Sequence, residues 1–384
     1  MRLAAAGCLF TVVLAQAPPA TQVTASQLKT AIDSLGKFDD AVRTSASATV
    51  RRAPAAQAVP ALLAAASEHP DGYVRFRALV LLAGFNDPRA RDVMLSALDD
   101  PNDRLRTVAY AYFEHNPEPG MADRLLAALQ KEESEFVRPA LTRALAAYGS
   151  EPKVRAAMDG LVMKGQDLFR SAVIDALGDY KADYALSSIM AVSKLDGPLQ
   201  EDAILALGKI GDKRALPTLA GLQATAPKNL QPEIAASICL LGTNCDVHQR
   251  FILESLTFSS KNIGYQELLR ASARALGALA QEGHADAAGA LIDFGIPARD
   301  PVRSPIALAL GTVALRNTPL LLKVLQSRTD LDQSALLLRD AFDMLEEDFA
   351  EERFFATVRR AYWQAPAGSA ERRVAQALIK TLEF

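Results

Sequence analysis

Apolar residues in this chain recur at helical spacing in short blocks, and the blocks come in imperfect copies. Residues 203–222, AILALGKIGDKRALPTLAGL, contain one copy: an apolar run, a break at glycine and aspartate, and a second apolar run. Within the second run, Leu216, Leu219 and Leu222 recur at steps of three residues, which is typical of one helix face. The pattern therefore predicts two helices joined by a tight turn.

In nine copies, the second helix has near its start an apolar residue followed directly by a polar one. The polar residue is an arginine in most copies, and it recurs after 30 to 33 residues, except for one interval of 39 residues between positions 231 and 270. A constant period predicts a helical-repeat array and not independent domains, because a single helix pair cannot bury its apolar face alone. The marked positions are Arg43, Arg75, Arg106, Arg138, Arg170, Gln200, Gln231, Arg270 and Arg303.

Turn-forming residues separate the predicted helices. Glycines close the second helix of seven copies, where a left-handed residue is commonly needed. Asp300-Pro301 is a favourable helix start, because aspartate caps free amides and proline suits the first turn. We predict an all-α fold in which residues 25–384 form one α-solenoid of about eleven stacked helix–turn–helix repeats. The predicted pairs start near residues 25, 58, 89, 120, 153, 183, 214, 246, 285, 319 and 353.

The segments VRSPIALALG and ALGKIGDKRALPTLAGL resemble HEAT repeats, in particular the short bacterial type found in phycobilisome lyases. The resemblance covers roughly residues 25–384, and it weakens at Gln200 and Gln231, where the arginine is absent, and after residue 319. It implies a right-handed superhelix whose arginine-bearing helices line the concave side. It also implies a structural ladder that ties turns to neighbouring repeats, in which an acid precedes each arginine by three or four residues. The ladder pairs are Asp40 with Arg43, Asp71 with Arg75, Asp103 with Arg106, Glu135 with Arg138, Asp167 with Arg170, and Asp300 with Arg303.

The first twenty residues, MRLAAAGCLFTVVLAQAPPA, have the pattern of a signal peptide. Arg2 is a short positive region, an apolar core follows, and Ala15 and Ala17 are small residues suited to cleavage. We expect residues 1–15 to be a signal peptide, with cleavage after residue 15 or 17, and residues 16–24 to be a short linker. The protein is then periplasmic or secreted. A frayed apolar N-terminus on a cytosolic protein is the alternative.

Charge and hydropathy narrow the range of partners. The chain has 42 Lys and Arg residues against 45 Asp and Glu residues, a formal net charge of −3, and no long basic run. A protein that reads the nucleic-acid backbone needs a basic surface, so no nucleic-acid partner is expected. Charges interrupt every later apolar helix, so no membrane span is expected either. A protein is therefore the class of partner that we expect.

Removal of the signal peptide, which includes Cys8, leaves two cysteines. Cys239 falls in the last turn of a predicted inner helix, and Cys245 follows a turn at Gly242. An even number of cysteines in an oxidising compartment favours a disulfide between them. Two free thiols, or a metal site that uses His248 and lacks an evident fourth ligand, are the alternatives.

Motifs of catalysis or cofactor binding are not evident. The four histidines, at positions 69, 115, 248 and 284, fall in different repeats, and no P-loop, dinucleotide-binding or nucleophile-elbow motif is present. We therefore predict no catalytic residue, no cofactor and no metal. The acidic run EEDFAEE, residues 346–352, is interpreted as a solvated helix end, with a cation site as the alternative.

Two segments are candidate partner surfaces. On the helix RLRTVAYAYFEH, Arg106, Tyr110 and Phe113 share a stripe beside the predicted core, and exposed arginine and aromatic residues are common in binding hot spots. Burial of Phe113 under the adjacent repeat is the alternative. The long interval places extra residues near TFSSKNIGY, residues 257–265, which contain Lys261 and Asn262. Insertions in solenoids commonly form loops on a working face, although a longer turn without a function is the alternative.

These features favour an exported, non-catalytic scaffold that binds protein partners through its concave face and its repeat loops. An enzyme of the bilin-lyase type is an alternative that rests only on the resemblance. A chaperone-like accessory of an envelope complex is another alternative, and the sequence does not separate it from a scaffold.

Overall fold

The computed structural model describes residues 23–345 and 347–384 of the chain, so the predicted signal peptide, residues 1–15, lies outside the described residues. Within them the chain forms 22 α-helices and three short 3₁₀ turns, and no strand, which confirms the all-α prediction. The helices are α1 (Ala25–Ser34), α2 (Asp40–Arg52), α3 (Ala55–Glu68), α4 (Gly72–Phe85), α5 (Ala90–Ala97), α6 (Asp103–His115), α7 (Met121–Leu129), α8 (Arg138–Ala147), α9 (Pro152–Leu161), α10 (Asp167–Asp179), α11 (Leu186–Val192), α12 (Gln200–Ile210), α13 (Leu216–Thr225), α14 (Gln231–Leu240), α15 (Cys245–Lys261), α16 (Gln266–Gln281), α17 (Ala285–Gly295), α18 (Arg303–Arg316), α19 (Thr318–Gln326), α20 (Leu331–Leu345), α21 (Asp348–Gln364) and α22 (Ala370–Leu382).

The described helices form the eleven predicted pairs, and they stack as an α-solenoid. The even-numbered helices from α4 to α20 form one continuous inner row, in which each helix packs against the next. The odd-numbered helices from α3 to α17 cover this row from outside and pack on their own partners. Residues 203–222 show how the sequence sets one turn. Gly211 takes the left-handed φ of 81° that ends α12, and the Asp212 side chain then accepts a bond from the backbone N of Arg214.

Glycine allows neighbouring inner helices to approach each other at the level of the backbone. A Cβ atom on Gly208 of α12 would lie 2.6 Å from the Cα atom of Ser237 on α14. Gly178 of α10 shows the same relation to Ala206, at 2.9 Å. The glycines that the sequence places near the ends of inner helices therefore also set the spacing between repeats.

We expect Gly208→Ala to lower the free energy of unfolding by about 1–3 kcal/mol, because the added methyl group forces α12 and α14 apart. Gly221→Ala is the matched control, since its Cβ would have no neighbour within 4 Å on the outer helix α13. There the alanine should stabilise the protein by about 0.5–1 kcal/mol through its higher helix propensity. Urea denaturation of both variants measures the difference, and a similar effect at the two positions would contradict the close approach.

The predicted insertion at 257–265 is not a loop, so that prediction was wrong. Residues 257–261 are the last turns of α15, which has 17 residues, and Ile263–Tyr265 form a 3₁₀ turn that leads into the 16-residue α16. The extra residues lengthen two helices of one pair. Helix formation satisfies their backbone groups within the segment, whereas a loop would leave them to solvent.

The last helix pair departs from the regular order and closes the solenoid. Helix α22 packs on α20 and α19, whereas α21 packs against α4 near the beginning of the chain and also contacts α6 and α18. Arg51 of α2 donates two hydrogen bonds, of 2.8 and 2.6 Å, to Oε2 of Glu352. Both side chains are almost fully buried, at 6% and 1% exposed. The two ends of the repeat array therefore meet across the concave side.

The acidic run is part of this junction, so its interpretation as a solvated helix end was wrong. Arg77 of α4 pairs with Asp348, and Arg359 lies 3.3 Å from Glu352. Arginines from both ends of the chain thus form ion pairs with carboxylates that would otherwise face water. Pairing of these charges offsets part of the cost of burying them at the junction.

The helices of residues 23–345 and 347–384 differ from membrane spans in length and composition. No single helix is long and apolar enough to cross a membrane. Helices α18 and α19 reach that length and composition only together, and they are bent by 112° relative to each other.

Candidate functional site

The arginines of the predicted ladder share a contact with backbone carbonyls. Each one donates to a carbonyl oxygen at the end of the preceding outer helix or in the turn after it, at 2.7–3.3 Å. A helix end leaves its last carbonyls without partners, so these bonds satisfy carbonyls at the ends of the outer helices or in the turns after them. The bonds run from Arg43 to Lys37 and Phe38, from Arg75 to His69, from Arg106 to Asp100, from Arg138 to Glu132, from Arg170 to Val162, and from Arg303 to Gly295 and Ile296.

The predicted acids pair with only some of these arginines. Ion pairs join Asp40 with Arg43 at 2.7 Å, Asp103 with Arg106 at 2.6 Å, and Asp167 with Arg170 at 3.2 Å. Arg106 also binds Glu132, whose carboxylate accepts two of its bonds, and Asp103 accepts a bond from Ser134 of the next repeat.

The other three predicted pairs are not formed among the described residues. Asp71 accepts from the backbone N of Tyr73, and Asp300 accepts from that of Ser304. The free amides of the helix start thus take these carboxylates away from Arg75 and Arg303, and Arg303 pairs with Asp340. Arg138 does not reach Glu135 but lies over the ring of Phe169, 5.2 Å from its centroid.

Gln200 and Gln231 make the same carbonyl contact as the arginines. Nε2 of Gln200 donates to the Ser193 carbonyl at 3.0 Å, and Nε2 of Gln231 donates to those of Gln223 and Ala226. The two positions at which the resemblance weakened therefore keep the physical role of the ladder. That role is to cap an outer helix, which is structural.

We expect Arg138→Ala to lower the free energy of unfolding by about 1–3 kcal/mol, because the Glu132 carbonyl loses its donor. Arg138→Gln should lose much less, since the existing bond comes from Nε, and glutamine carries Nε2 at the same place on its side chain. Thermal unfolding of the two variants measures the difference. If glutamine destabilises the protein as much as alanine does, carbonyl capping is not what Arg138 contributes.

The candidate partner surface on α6 is buried, so that prediction was wrong. Tyr110 and Phe113 are 2% and 0% exposed, because α4, α5 and α8 all pack on α6. Arg106 directs its donors to Asp100, Asp103 and Glu132. A second apolar stripe on an inner helix is covered by the neighbouring repeats and does not face a partner.

The concave side is crossed by ion pairs between inner helices. Arg143 of α8 bridges Glu114 at 3.0 Å and Asp179 at 2.8 Å, and Lys209 reaches the same Asp179 at 2.7 Å. Arg316 of α18, four repeats after α10, lies 3.9 Å from Asp179. These contacts hold inner helices from distant repeats together, so side chains of the protein itself fill part of the concave side.

A cavity of about 360 Å³ lies between these helices and α21, lined by Glu114, His115, Arg143, Asp175 and Phe349 among others. Burial raises the pKa of Asp175 to about 6, and the nearby carboxylate of Asp202 adds to the shift. Burial lowers the pKa of His115 to about 4, so its ring, which stacks on Phe349 at 5.9 Å, is neutral at pH 7. The charged groups in this lining bind mainly one another.

An aromatic cleft opens on the outer surface where α15 meets α16. Its volume is about 640 Å³, and its lining includes Phe251, Glu254, Phe258 and Tyr265. The rings of Phe258 and Tyr265 meet edge to face at 4.8 Å, and 47% and 50% of these residues remain exposed. Exposed aromatic residues grouped around a concave site are typical of a binding surface.

The second half of the predicted partner surface adjoins this cleft. Lys261 ends α15, and Asn262 caps it, with its Nδ2 atom donating to the Phe258 carbonyl at 2.7 Å. Both residues are exposed. Sequence reasoning located the segment but missed the aromatic side chains, of which Phe251 lies outside the predicted insertion and one helical turn before Glu254.

Cys239 and Cys245 are joined by a disulfide, with their Cα atoms 4.2 Å apart. The bond connects the end of α14 with the start of α15, across the turn at Gly242. His284 Nδ1 lies 4.0 Å from the Cys245 sulfur. The histidine at this corner is therefore not His248, which the sequence suggested.

The fold and these surfaces define a helical-repeat protein of the α-solenoid class. Residues 28–114 match the family model for HEAT repeats. The match covers the first three helix pairs, as the resemblance indicated, and the later pairs continue the same stacked arrangement. No curated protein matches the chain in sequence.

Several solved structures are similar to this chain at low sequence identity. Kap95p, from a complex with RanGDP, shares 12% identity over 93% of this chain and 54% of its own length, with a TM-score of 0.37. Human deoxyhypusine hydroxylase shares 20% over 67% of this chain and 96% of its own, with a TM-score of 0.29. The CpcE–CpcF complex of phycocyanin lyase from Nostoc sp. PCC7120 shares 19% sequence identity over 87% of this chain and 100% of the matched chain, with a TM-score of 0.26. This chain spans about half of Kap95p, and scores this low carry no functional argument.

Proposed function

We propose that this protein is a non-catalytic scaffold that binds a partner protein at the aromatic cleft between α15 and α16. The observation that supports this most is the group of exposed rings at the cleft, Phe251, Phe258 and Tyr265. The concave face, which the sequence favoured as the binding surface, is partly filled by α21 and by ion pairs between inner helices. The binding role therefore falls to the outer surface.

The two carboxylates in the cleft, of Glu254 and Glu267, outnumber its one basic side chain, Lys228, and indicate what kind of segment it binds. Glu254 lies on the same stripe of α15 as Phe251 and Phe258, and it forms no ion pair within the described part of the chain. An arginine satisfies such a site twice, because its guanidinium stacks on aromatic rings and pairs with a carboxylate. We infer that the partner presents an arginine flanked by apolar side chains.

A peptide library displayed on phage tests this binding chemistry with the full chain as bait. We expect enrichment of peptides that carry an arginine between apolar residues. Calorimetry of one enriched peptide should show Phe258→Ala weakening its binding by about thirtyfold and Glu254→Gln by about tenfold, as hot-spot residues do.

Trp363→Ala is the matched control, because Trp363 is a 73% exposed aromatic residue on α21, away from the cleft. It should leave the affinity unchanged. Enriched peptides without arginine, or a peptide that binds the Phe258 and Trp363 variants equally, would refute the cleft as the binding site.

We also propose that the protein acts in the periplasm or after secretion. The pattern of residues 1–15 supports export, and a disulfide between Cys239 and Cys245 suits an oxidising compartment. Alkylation of protein recovered from cells without a reductant, followed by mass spectrometry, tests this. Two alkylated cysteines or an uncleaved N-terminus would count against export.

A further inference from the structure

Three side chains with metal-ligating atoms meet at one corner of the solenoid. The sulfur atoms of Cys239 and Cys245 and a ring nitrogen of His284 all lie within 4.8 Å of one another. Cys239 is buried near the end of α14, Cys245 begins α15, and His284 directly precedes α17. The three residues come from three successive helix pairs, and stacking of the pairs brings them together.

Two rigid turns fix these positions. Asn244, with a left-handed φ of 44°, places Cys245 at the start of α15. Gly283, with a φ of 106°, reverses the chain after α16, and the backbone N of His284 then donates to the Leu279 carbonyl at 3.1 Å. The imidazole thus projects from a held backbone beside the sulfur atoms. His284 follows Cys245 by 39 residues, so the two cysteines and the histidine do not form a recognisable sequence motif.

We propose that this corner binds a thiophilic divalent cation of the Zn²⁺ type when the two cysteines are reduced. Two thiolates and one imidazole are ligands that zinc prefers, with bonds of about 2.3 Å to sulfur and about 2.0 Å to nitrogen. A tetrahedral centre with these bonds separates sulfur from nitrogen by about 3.5 Å. The observed 4.0 Å between Cys245 Sγ and His284 Nδ1 is close to this separation. Cys245 and His284 are half-buried, so water can take the fourth position.

The disulfide and the cation exclude each other, because both use the same two sulfur atoms. Reduction by a phosphine breaks the S–S bond: phosphorus supplies two electrons and takes up the oxygen of a water molecule, whose two protons go to the two sulfurs. Zn²⁺ then binds the two thiolates, and the two protons leave to solvent. The corner therefore holds a disulfide in the oxidised protein and a cation in the reduced protein.

The test uses Co²⁺ as a spectroscopic probe for Zn²⁺, added to the full chain in a phosphine without oxygen. The reduced protein should bind a single equivalent of Co²⁺, with a thiolate-to-cobalt charge-transfer band that Zn²⁺ abolishes by displacement. The oxidised protein should show no band. Absence of the band in the reduced protein would overturn the proposal.

Variants show whether these three residues are the ligands. Competition with a chromophoric chelator should show that His284→Ala weakens Zn²⁺ binding at least about tenfold and that Cys239→Ser weakens it about a hundredfold. His248→Ala, which changes a neighbouring histidine on α15, should leave it unchanged. Circular dichroism establishes that each variant is folded. Equal losses for the His248 and His284 variants would overturn the ligand assignment.

Discussion

Glu352→Ala is expected to lower the free energy of unfolding by about 3–5 kcal/mol, because it leaves buried arginines without their carboxylate. Arg51 donates two bonds to Glu352, and Arg359 lies 3.3 Å from its other carboxylate oxygen. The junction between the two ends of the chain depends on this residue, so the loss affects the closed form as a whole. Urea denaturation of the variant and the unchanged protein measures it.

Glu267→Ala is the matched control for this experiment. Glu267 also pairs with an arginine, Arg270, but the two side chains are 65% and 55% exposed. An exposed pair of this kind contributes at most about 0.5 kcal/mol. A similar loss for both variants would mean that α21 is not held against the first repeats by a buried charge.

Glu233→Gln is expected to stabilise the protein increasingly as the pH rises from 5 to 8. Glu233 is fully buried, neither carboxylate oxygen accepts a hydrogen bond in the described structure, and Arg274 Nε lies 3.5 Å away. Burial raises the pKa of Glu233 from 4.5 to about 8, which Arg274 only partly offsets. Between these two values the folded protein holds a proton that the unfolded chain has lost, so the stability of the unchanged protein falls as the pH rises.

Glutamine stays neutral and removes this dependence. The gain of Glu233→Gln relative to the unchanged protein should therefore grow by about 2–4 kcal/mol between pH 5 and pH 8. His115, whose pKa burial lowers to about 4, opposes the trend below pH 6.5, but it is present in both proteins and cancels in the difference. Urea denaturation at the two pH values gives the comparison.

Glu201→Gln is the control, because Glu201 pairs with the same Arg274 at 2.9 Å and remains 29% exposed. It should show little change between pH 5 and pH 8. A gain for Glu233→Gln that is the same at both pH values would show that Glu233 is not a buried carboxyl group with a raised pKa.

The helix pairs could be predicted because short-range sequence patterns specify their helices and turns. Apolar spacing within 20 residues fixed the two helices of each pair, and glycines such as Gly211 marked their ends. The period then followed from positions that cap the outer helices, and the structure places Gln200 and Gln231 among them. One repeat therefore contains the information that specifies its own fold.

The closure could not be predicted, because it depends on contacts between residues far apart in the sequence. Arg51 and Glu352 are separated by 301 positions, and an acidic run that pairs with distant arginines has the same local pattern as a solvated helix end. The prediction that Tyr110 and Phe113 form an exposed stripe was wrong for a related reason. The sequence of α6 does not show that its second face is covered by the repeats on either side.

The candidate site was located only in part. The long interval pointed to residues 257–265, and Lys261 and Asn262 are exposed and lie in the sequence between Phe258 and Tyr265, which line the cleft. The interval of 39 residues fits an inserted loop and two lengthened helices equally well. It gives the number of extra residues but not their conformation. The cleft forms only when the lengthened α15 carries Phe251 and Phe258 beside Tyr265.

Closure of the solenoid decides which surface is free to bind a partner, and small-angle X-ray scattering measures it directly. The unchanged protein at pH 7 should give a profile that the closed arrangement fits, with a single compact distribution of interatomic distances. Glu352→Ala should shift this distribution toward longer distances. An unchanged protein whose profile fits only with α21 separated from α4 would contradict closure, and would return the concave face to consideration as the binding surface.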